Sequence, residues 1–151
     1  MKKLLAATAA IVCLAGPATA AGDDVKTHES DASFADVMAG IENAIVNRGY
    51  TIDYHGFIGE MLKRTAADVD AEKPLYKDAE FVSFCSAVMS RKVMEADISD
   101  IAYCPYVVFA YEAESDPGKV VVGYRTLPSG GPRDDVNALL SDIIKDAAEG
   151  F

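Results

Sequence analysis

The sequence predicts a single α+β domain in which helices pack on a mixed β-sheet that includes a C-terminal antiparallel hairpin. Three observations predict this class. Apolar residues recur at helical spacing over 34–45 and again over 136–147. An unbroken apolar run at 106–111 is typical of a strand buried on both faces at the centre of a sheet. A charged turn then leads to a second apolar run at 119–125, as in a hairpin.

The first half of the domain is predicted to contain two helices separated by a strand. Ser33 is a candidate N-cap, and Asp36 follows it three residues later, as in a capping box. We expect the first helix to end at Gly49, because glycine commonly adopts the left-handed conformation that closes a helix. A strand at 50–54 follows, and then a less buried helix at about 60–70.

Strands and helices continue to alternate along the rest of the chain. A weak strand pattern lies at 26–29, and a short strand is expected at 81–84. A third helix is expected from about Cys85 to Ala96. Pro132 suits the first turn of a last helix. We expect the first and last helices to cover one face of the sheet.

The chain begins with the pattern of a secretory signal peptide over residues 1–20. Two lysines precede an uncharged stretch at 4–15, which suits a signal sequence and is too short to cross a bilayer as a helix. Small residues then predict cleavage after Ala20, with Ala21 as a near alternative. We therefore expect a periplasmic or secreted protein that consists of the domain at 21–151.

The charge of the chain excludes two classes of partner. Its 151 residues include 14 basic and 24 acidic ones. Loss of the two lysines with the signal peptide leaves 12 basic residues against 24 acidic ones, a net charge of −12. A domain this acidic repels nucleic acid and anionic lipid surfaces, so we expect neither nucleic acid nor membrane as a partner. Composition does not identify the small molecule or protein that it binds.

The mature domain keeps two cysteines, Cys85 and Cys104, because Cys13 is removed with the signal peptide. An even number of cysteines in an oxidising compartment favours a disulfide, which stabilises such a domain by about 3 kcal/mol in the chain-entropy model. Two alternatives stay open. One is a pair of cycling thiols, since a cysteine at a helix N-terminus favours the thiolate. The other is a Cu(I) site, the one cofactor considered, in which Met89 joins the cysteines because it lies four residues after Cys85.

Two arginines are candidates for holding an anionic ligand. Arg91 lies in the third predicted helix, and Arg125 ends the hairpin strand. For both, a surface ion pair is the alternative that we favour. His55, beside Gly56, is expected in a turn. No spacing of nucleophile, base, phosphate loop or paired carboxylates predicts a reaction, so we name no catalytic residue and favour a non-enzymatic binding or accessory role.

Several short motifs together resemble one family. They are RGY at 48–50, MLKRTA at 61–66, FCSA at 84–87, SR at 90–91, MEAD at 94–97, CPY at 104–106, YE at 111–112 and GYR at 123–125. Over about 27–128 the chain resembles the family called domain of unknown function 302, in the branch of exported members with a cysteine pair. The resemblance implies a compact α+β domain that associates in pairs, so we expect a homodimer. It implies no particular activity.

Overall fold

Five strands form one sheet, and four helices connect or cover them. The strands are β1 (Val25–Ser30), β2 (Ile52–Gly56), β3 (Tyr76–Phe84), β4 (Tyr106–Ala113) and β5 (Val120–Arg125). The helices are α1 (Phe34–Val46), α2 (Ile58–Thr65), α3 (Ala87–Ala96) and α4 (Pro132–Glu149), with short 3-10 helices at Ala66–Val69 and Ile98–Tyr103. This computed structural model describes residues 24–71 and 73–150. The predicted α+β class is confirmed.

The sheet is antiparallel throughout, whereas the sequence predicts a mixed sheet. The strand order is β1-β5-β4-β3-β2, and each of the four neighbouring pairs is antiparallel. A helix between two strands ordinarily accompanies a parallel crossover. Here α2 and α3 instead connect strands that are antiparallel neighbours, and α1 connects β1 and β2 at opposite edges of the sheet. The alternation of helices and strands therefore does not reveal strand direction in this chain.

The first helix begins and ends with the predicted residues. The Ser33 hydroxyl accepts a hydrogen bond from the Asp36 N–H at 3.2 Å and donates one to the Asp36 carboxylate at 2.6 Å. Regular α1 geometry ends at Val46, and Gly49 then adopts a left-handed φ of 82°. These contacts satisfy backbone groups at the ends of α1 that have no partner within the helix.

Helices α1 and α4 cover one face of the sheet, as predicted. Side chains from both helices interlock with alternate residues of β3, β4 and β5, because successive side chains of a strand point to opposite faces. The buried cluster includes Val37, Ile41, Ile45, Val82, Phe84, Val108, Val122, Leu140, Ile143 and Ile144. Burial of this apolar surface is the main stabilising contribution to the domain.

The opposite face of the sheet is only partly covered, and we call it the open face. Helix α2 approaches one end of it, where Gly59 lies against Ala79. The centre of the open face, on β3, β4 and β5, consists of Ala79, Phe81, Ser83, Val107, Phe109, Tyr111, Val121 and Gly123. Strand β4 lies at the sheet centre as predicted, but its residues on this face are half-buried. The expectation that β4 is buried on both faces is therefore wrong.

The described part of the chain contains no helix that is long and apolar enough to cross a membrane. The predicted signal peptide, including Cys13, lies outside the described residues.

Candidate functional site

A disulfide joins Cys85 and Cys104, as the sequence predicts, across 19 positions of the chain with 6.4 Å between the Cα atoms. Cys85 directly follows β3, and Cys104 lies two residues before β4. Because β3 and β4 are neighbours, the disulfide links the two strands where α3 and the second 3-10 helix depart from the sheet. Both cysteines are half-buried, so one side of the disulfide reaches the surface.

Helix α3 begins at Ala87, after the disulfide, and not at Cys85. The Ser86 side chain accepts a hydrogen bond from the Met89 N–H at 3.3 Å and so caps the helix. Cys85 therefore precedes the helix, and the inference that Cys85 and Met89 share a helix face is wrong. Met89 packs against the core cluster. The Cu(I) site of Cys85, Cys104 and Met89 stays a prediction.

One hydroxyl group, that of Ser90, contacts the disulfide from the protein interior. The Ser90 hydroxyl lies 3.6 Å from Cys104 Sγ and donates a hydrogen bond to the Tyr106 hydroxyl at 3.3 Å. Burial raises the pKa of the Tyr106 hydroxyl above its ordinary value, so this group stays protonated at neutral pH.

An ion-pair cluster holds the segment that precedes Cys104. The Arg133 Nε of α4 donates to both carboxylate oxygens of Asp100, at 3.0 and 2.9 Å, and an Arg133 Nη lies 3.0 Å from Asp97. Asp100 is only 2% exposed. Hydrogen bonds from Ser99, together with the charge of Arg133, lower the pKa of the Asp97 carboxyl. The cluster ties the second 3-10 helix to α4, and sequence reasoning missed it because Arg133 lies 33 positions from Asp100.

The two candidate arginines have different surroundings. Arg91 forms an ion pair with Glu95 at 2.7 Å, one turn along α3, and is largely exposed. Arg125 lies beside a cavity of about 550 Å³ that Lys26 and Tyr103 also line. Among the described residues, neither Lys26 nor Arg125 has an ion-pair partner within 4.0 Å. Anion binding at either arginine stays a prediction, and the surroundings favour Arg125.

His55 lies in β2 and not in the expected turn. Its Nε2 is 2.7 Å from a Glu80 carboxylate oxygen, and its Nδ1 is 3.4 Å from a Glu42 carboxylate oxygen. The ring also stacks on Phe57, with 4.5 Å between centroids. The two carboxylates come from α1 and β3, so the local sequence around His55 does not indicate this bridging role.

Two apolar cavities lie on the α2 side of the sheet, and no sequence motif indicated either. The larger, which we call the α2 groove, has a volume of about 400 Å³ and runs between α2, the first 3-10 helix and the segment before β3. The smaller, which we call the aromatic cleft, has a volume of about 260 Å³ and opens on the open face between Phe81 and Phe109. Tyr76 lines both, so the two cavities adjoin.

Residues 26–143 match the family described as Domain of unknown function DUF302. The chain belongs to this family. A similar fold occurs in the crystal structure of an uncharacterized conserved protein DUF302 from Bacillus stearothermophilus, with a TM-score of 0.66. The identity is 10%, and the match covers 83% of this chain and 98% of that chain, so the likeness shows the fold alone. Comparison with curated proteins finds no match.

Four of the motifs behind the resemblance occupy two regions of this DUF302 domain. Those at 84–87 and 104–106 surround the disulfide, and the motif at 94–97 supplies Asp97 to the ion-pair cluster. The motif at 61–66 instead runs along α2 and into the wall of the α2 groove. The first region stabilises the fold, whereas the second borders an open cavity.

Proposed function

We propose that this DUF302 domain is an exported, non-enzymatic binding protein that works as a homodimer, with the open face of its sheet as the interface. The observation behind this proposal is the apolar character of the open face. Helices α1 and α4 pack on the other side, and the side chains of Phe81, Phe109 and Tyr111 stay half-exposed. An apolar patch on a soluble domain commonly marks an interaction site.

Charge favours a second copy of the chain as the occupant of this face. Two copies of the mature domain, each with 12 basic and 24 acidic residues and so a net charge of −12, repel one another wherever their acidic surfaces meet. None of the eight residues at the centre of the open face is charged, and the charged residues that share this face at its β1–β5 edge, Glu29 and Arg125, have opposite signs. Tyr54 is 61% exposed, its ring centroid lies 5.7 Å from that of Phe81 in a tilted arrangement, and it extends the patch onto β2. A symmetric dimer buries the same patch on both subunits.

Analytical ultracentrifugation of the mature protein tests the dimer. We expect a dimer for the wild type and a shift toward monomer for Val107→Asp, which places a charge on the open face. The dissociation constant should rise at least about tenfold, equivalent to about 1.4 kcal/mol. Val88→Asp is the matched control, because Val88 is exposed on α3 and lies outside the open face. At a protein concentration of about 100 μM even a weak dimer is populated, so a monomeric wild type at this concentration would contradict the proposal.

Export is supported by the disulfide, since disulfides persist in oxidising compartments. The experiment is alkylation of protein recovered from the extracytoplasmic fraction, followed by mass determination. We expect a chain that begins at Ala21, with Cys85 and Cys104 unreactive until a reductant is added. Two reactive thiols in the native, unreduced protein would contradict the structural role of the disulfide.

Thiol redox or Cu(I) chemistry is the second candidate, and the position of Cys85 favours it. The half-buried Cys85 lies one residue before Ser86, the N-cap of α3. An external dithiol can attack the disulfide and be oxidised, leaving Cys85 and Cys104 as thiols that then bind Cu(I) with Met89.

Anaerobic Cu(I) titration of the reduced protein tests this candidate. We expect submicromolar binding that is lost in Cys85→Ser and weakened in Met89→Leu. Binding weaker than micromolar, or binding unchanged in Cys85→Ser, would rule it out.

A further inference from the structure

The α2 groove is lined mainly by apolar side chains that no described part of the chain covers. They include Leu62, Val69, Pro74, Leu75 and Tyr76. Val69 is 69% exposed and Leu75 is 64% exposed, which is a large fraction for residues that border a cavity. The groove of about 400 Å³ also falls within the usual size range of small-molecule sites.

Helix α2 is built to leave this apolar surface open. Gly59 is its only buried residue, so the helix approaches the sheet through a glycine and not through large side chains. A Cβ on Gly59 would lie 2.9 Å from the backbone nitrogen of Ala79, which shows how closely the two elements meet. The larger apolar residues of α2 and the following 3-10 helix are thereby left on the side that faces the groove and solvent.

The charged side chains that line the described part of the groove have the opposite sign to the net charge of the chain. Among the described residues, the charged side chains that line the groove are Lys63 and Lys73, in a sequence with 24 acidic and 14 basic residues. Lys63 Nζ donates to the Lys77 carbonyl oxygen at 2.5 Å, and an ammonium group has further N–H donors to offer. Lys73 has no ion-pair partner within 4.0 Å among the described residues.

We propose that the α2 groove binds a single-chain anionic amphiphile, with its apolar chain along the groove and its carboxylate near Lys63 and Lys73. The apolar lining matches an alkyl chain, and the two ammonium groups match an anionic head group. This site goes beyond the proposed dimer and does not depend on it.

Isothermal titration calorimetry of the mature protein with octanoate, decanoate and dodecanoate, below their micelle concentrations, tests the apolar part of the site. Each additional buried methylene contributes about 0.8 kcal/mol, so affinity should rise about fourfold per methylene. Leu75→Ser should weaken dodecanoate binding at least about fivefold by removing groove lining. Ile98→Ser is the control, because Ile98 is 83% exposed and lies outside the groove, and it should change affinity less than about twofold.

Head-group selectivity tests the cationic part. Dodecyltrimethylammonium should bind at least about tenfold more weakly than dodecanoate, and Lys73→Glu should remove this preference. Lys145→Glu makes the same charge change on an exposed position of α4 outside the groove and should preserve it. The proposal would be overturned if dodecanoate did not bind or if affinity did not depend on chain length. It would also be overturned if both head groups bound equally, or if Leu75→Ser bound dodecanoate as the wild type does. Analytical ultracentrifugation of the same samples measures the monomer–dimer equilibrium, so failure of amphiphile binding and failure of the dimer can be told apart.

Discussion

Phe81 of β3 and Phe109 of β4 are direct register partners, yet their rings point away from each other. Each ring lies over a glycine of the next strand outward. A Cβ on Gly56 would lie 2.1 Å from Phe81 Cε1, and a Cβ on Gly123 would lie 2.6 Å from Phe109 Cζ. The space between the two rings is the aromatic cleft. The two glycines therefore determine the shape of the open face.

Substitution of either glycine by alanine adds a methyl group, and the two methyl groups would contact different kinds of atoms. We therefore expect the two substitutions to differ in their effect on stability. In Gly123→Ala the methyl group also meets the Lys26 carbonyl oxygen at 2.7 Å, and backbone cannot move aside cheaply. We expect a loss of about 1–3 kcal/mol. In Gly56→Ala the three atoms nearest to the methyl group all belong to the Phe81 ring, and a side chain can turn toward the cleft, so the loss should be smaller. Urea unfolding measures both, and equal stability of Gly123→Ala and the wild type would contradict the account.

The sequence predicts the elements whose patterns are local. The cap at Ser33 predicts α1, the proline and apolar stripe predict α4, and the charged turn predicts the hairpin of β4 and β5. All three elements occur as expected. The first half of β3 was missed, because Lys77, Asp78 and Glu80 give it the composition of a polar connection. Lys77 pairs with Glu112 at 2.9 Å, and Glu80 pairs with His55 at 2.7 Å.

What the sequence could not predict depends on residues that are distant along the chain. The disulfide follows from counting cysteines, but the ion-pair cluster of Arg133 with Asp97 and Asp100 joins segments with no shared pattern. The α2 groove exists because Gly59 lets α2 approach β3 closely, and a glycine in a sequence does not say which backbone it will meet. Long-range packing, and not local propensity, therefore builds the candidate site.

Removal of the disulfide should destabilise the domain without changing its fold. The Cys85–Cys104 link closes a loop across 19 positions, for which the chain-entropy model gives about 3 kcal/mol. We expect the double variant Cys85→Ser, Cys104→Ser to lose about this free energy of unfolding in urea while its circular dichroism spectrum is retained. A reductant should destabilise the wild type by a similar amount and leave the double variant unchanged. A double variant as stable as the oxidised wild type would contradict the structural role.

Acid should destabilise the domain partly through Glu112. The Lys77 ammonium and the Gly118 N–H donate hydrogen bonds to its carboxylate and hold the pKa of Glu112 below its ordinary value. A lowered pKa in the folded state means that the ionised carboxylate stabilises the fold. This contribution is complete above the ordinary pKa of about 4.3 and is lost as pH falls through the lower pKa of the folded state.

The variant Glu112→Gln should therefore show a smaller loss of unfolding free energy between pH 6 and pH 3 than the wild type does. Chemical unfolding at a series of pH values measures this difference. Glu114→Gln is the matched control, since Glu114 is exposed in the same hairpin, and its pH profile should follow that of the wild type. Parallel profiles for Glu112→Gln and the wild type would show that the hydrogen bonds of Glu112 do not stabilise the fold.

The cavity beside Arg125 should bind small multivalent anions more strongly than the surface around Arg91 does. Lys26 and Arg125 line a cavity of about 550 Å³ together with one carboxylate, that of Asp24, whereas Arg91 is already paired with Glu95. Asn137 bonds both the N–H and the carbonyl oxygen of Leu127 at 2.9 Å and so fixes the loop that forms one wall. A fixed wall lowers the entropic cost of holding a ligand.

Titration of isotope-labelled protein with sodium phosphate at constant ionic strength, followed by amide chemical shifts, measures this binding. We expect saturable shifts clustered at 125–129 and a loss of affinity of at least about fivefold in Arg125→Ala, since one of two cations is removed. Arg91→Ala removes the same charge from a paired, exposed position and should leave the titration unchanged. If the chemical shift changes spread over the whole surface, or if the two variants have equal effects, phosphate binds non-specifically through the overall charge of the protein. Arg125 would then form no specific anion site.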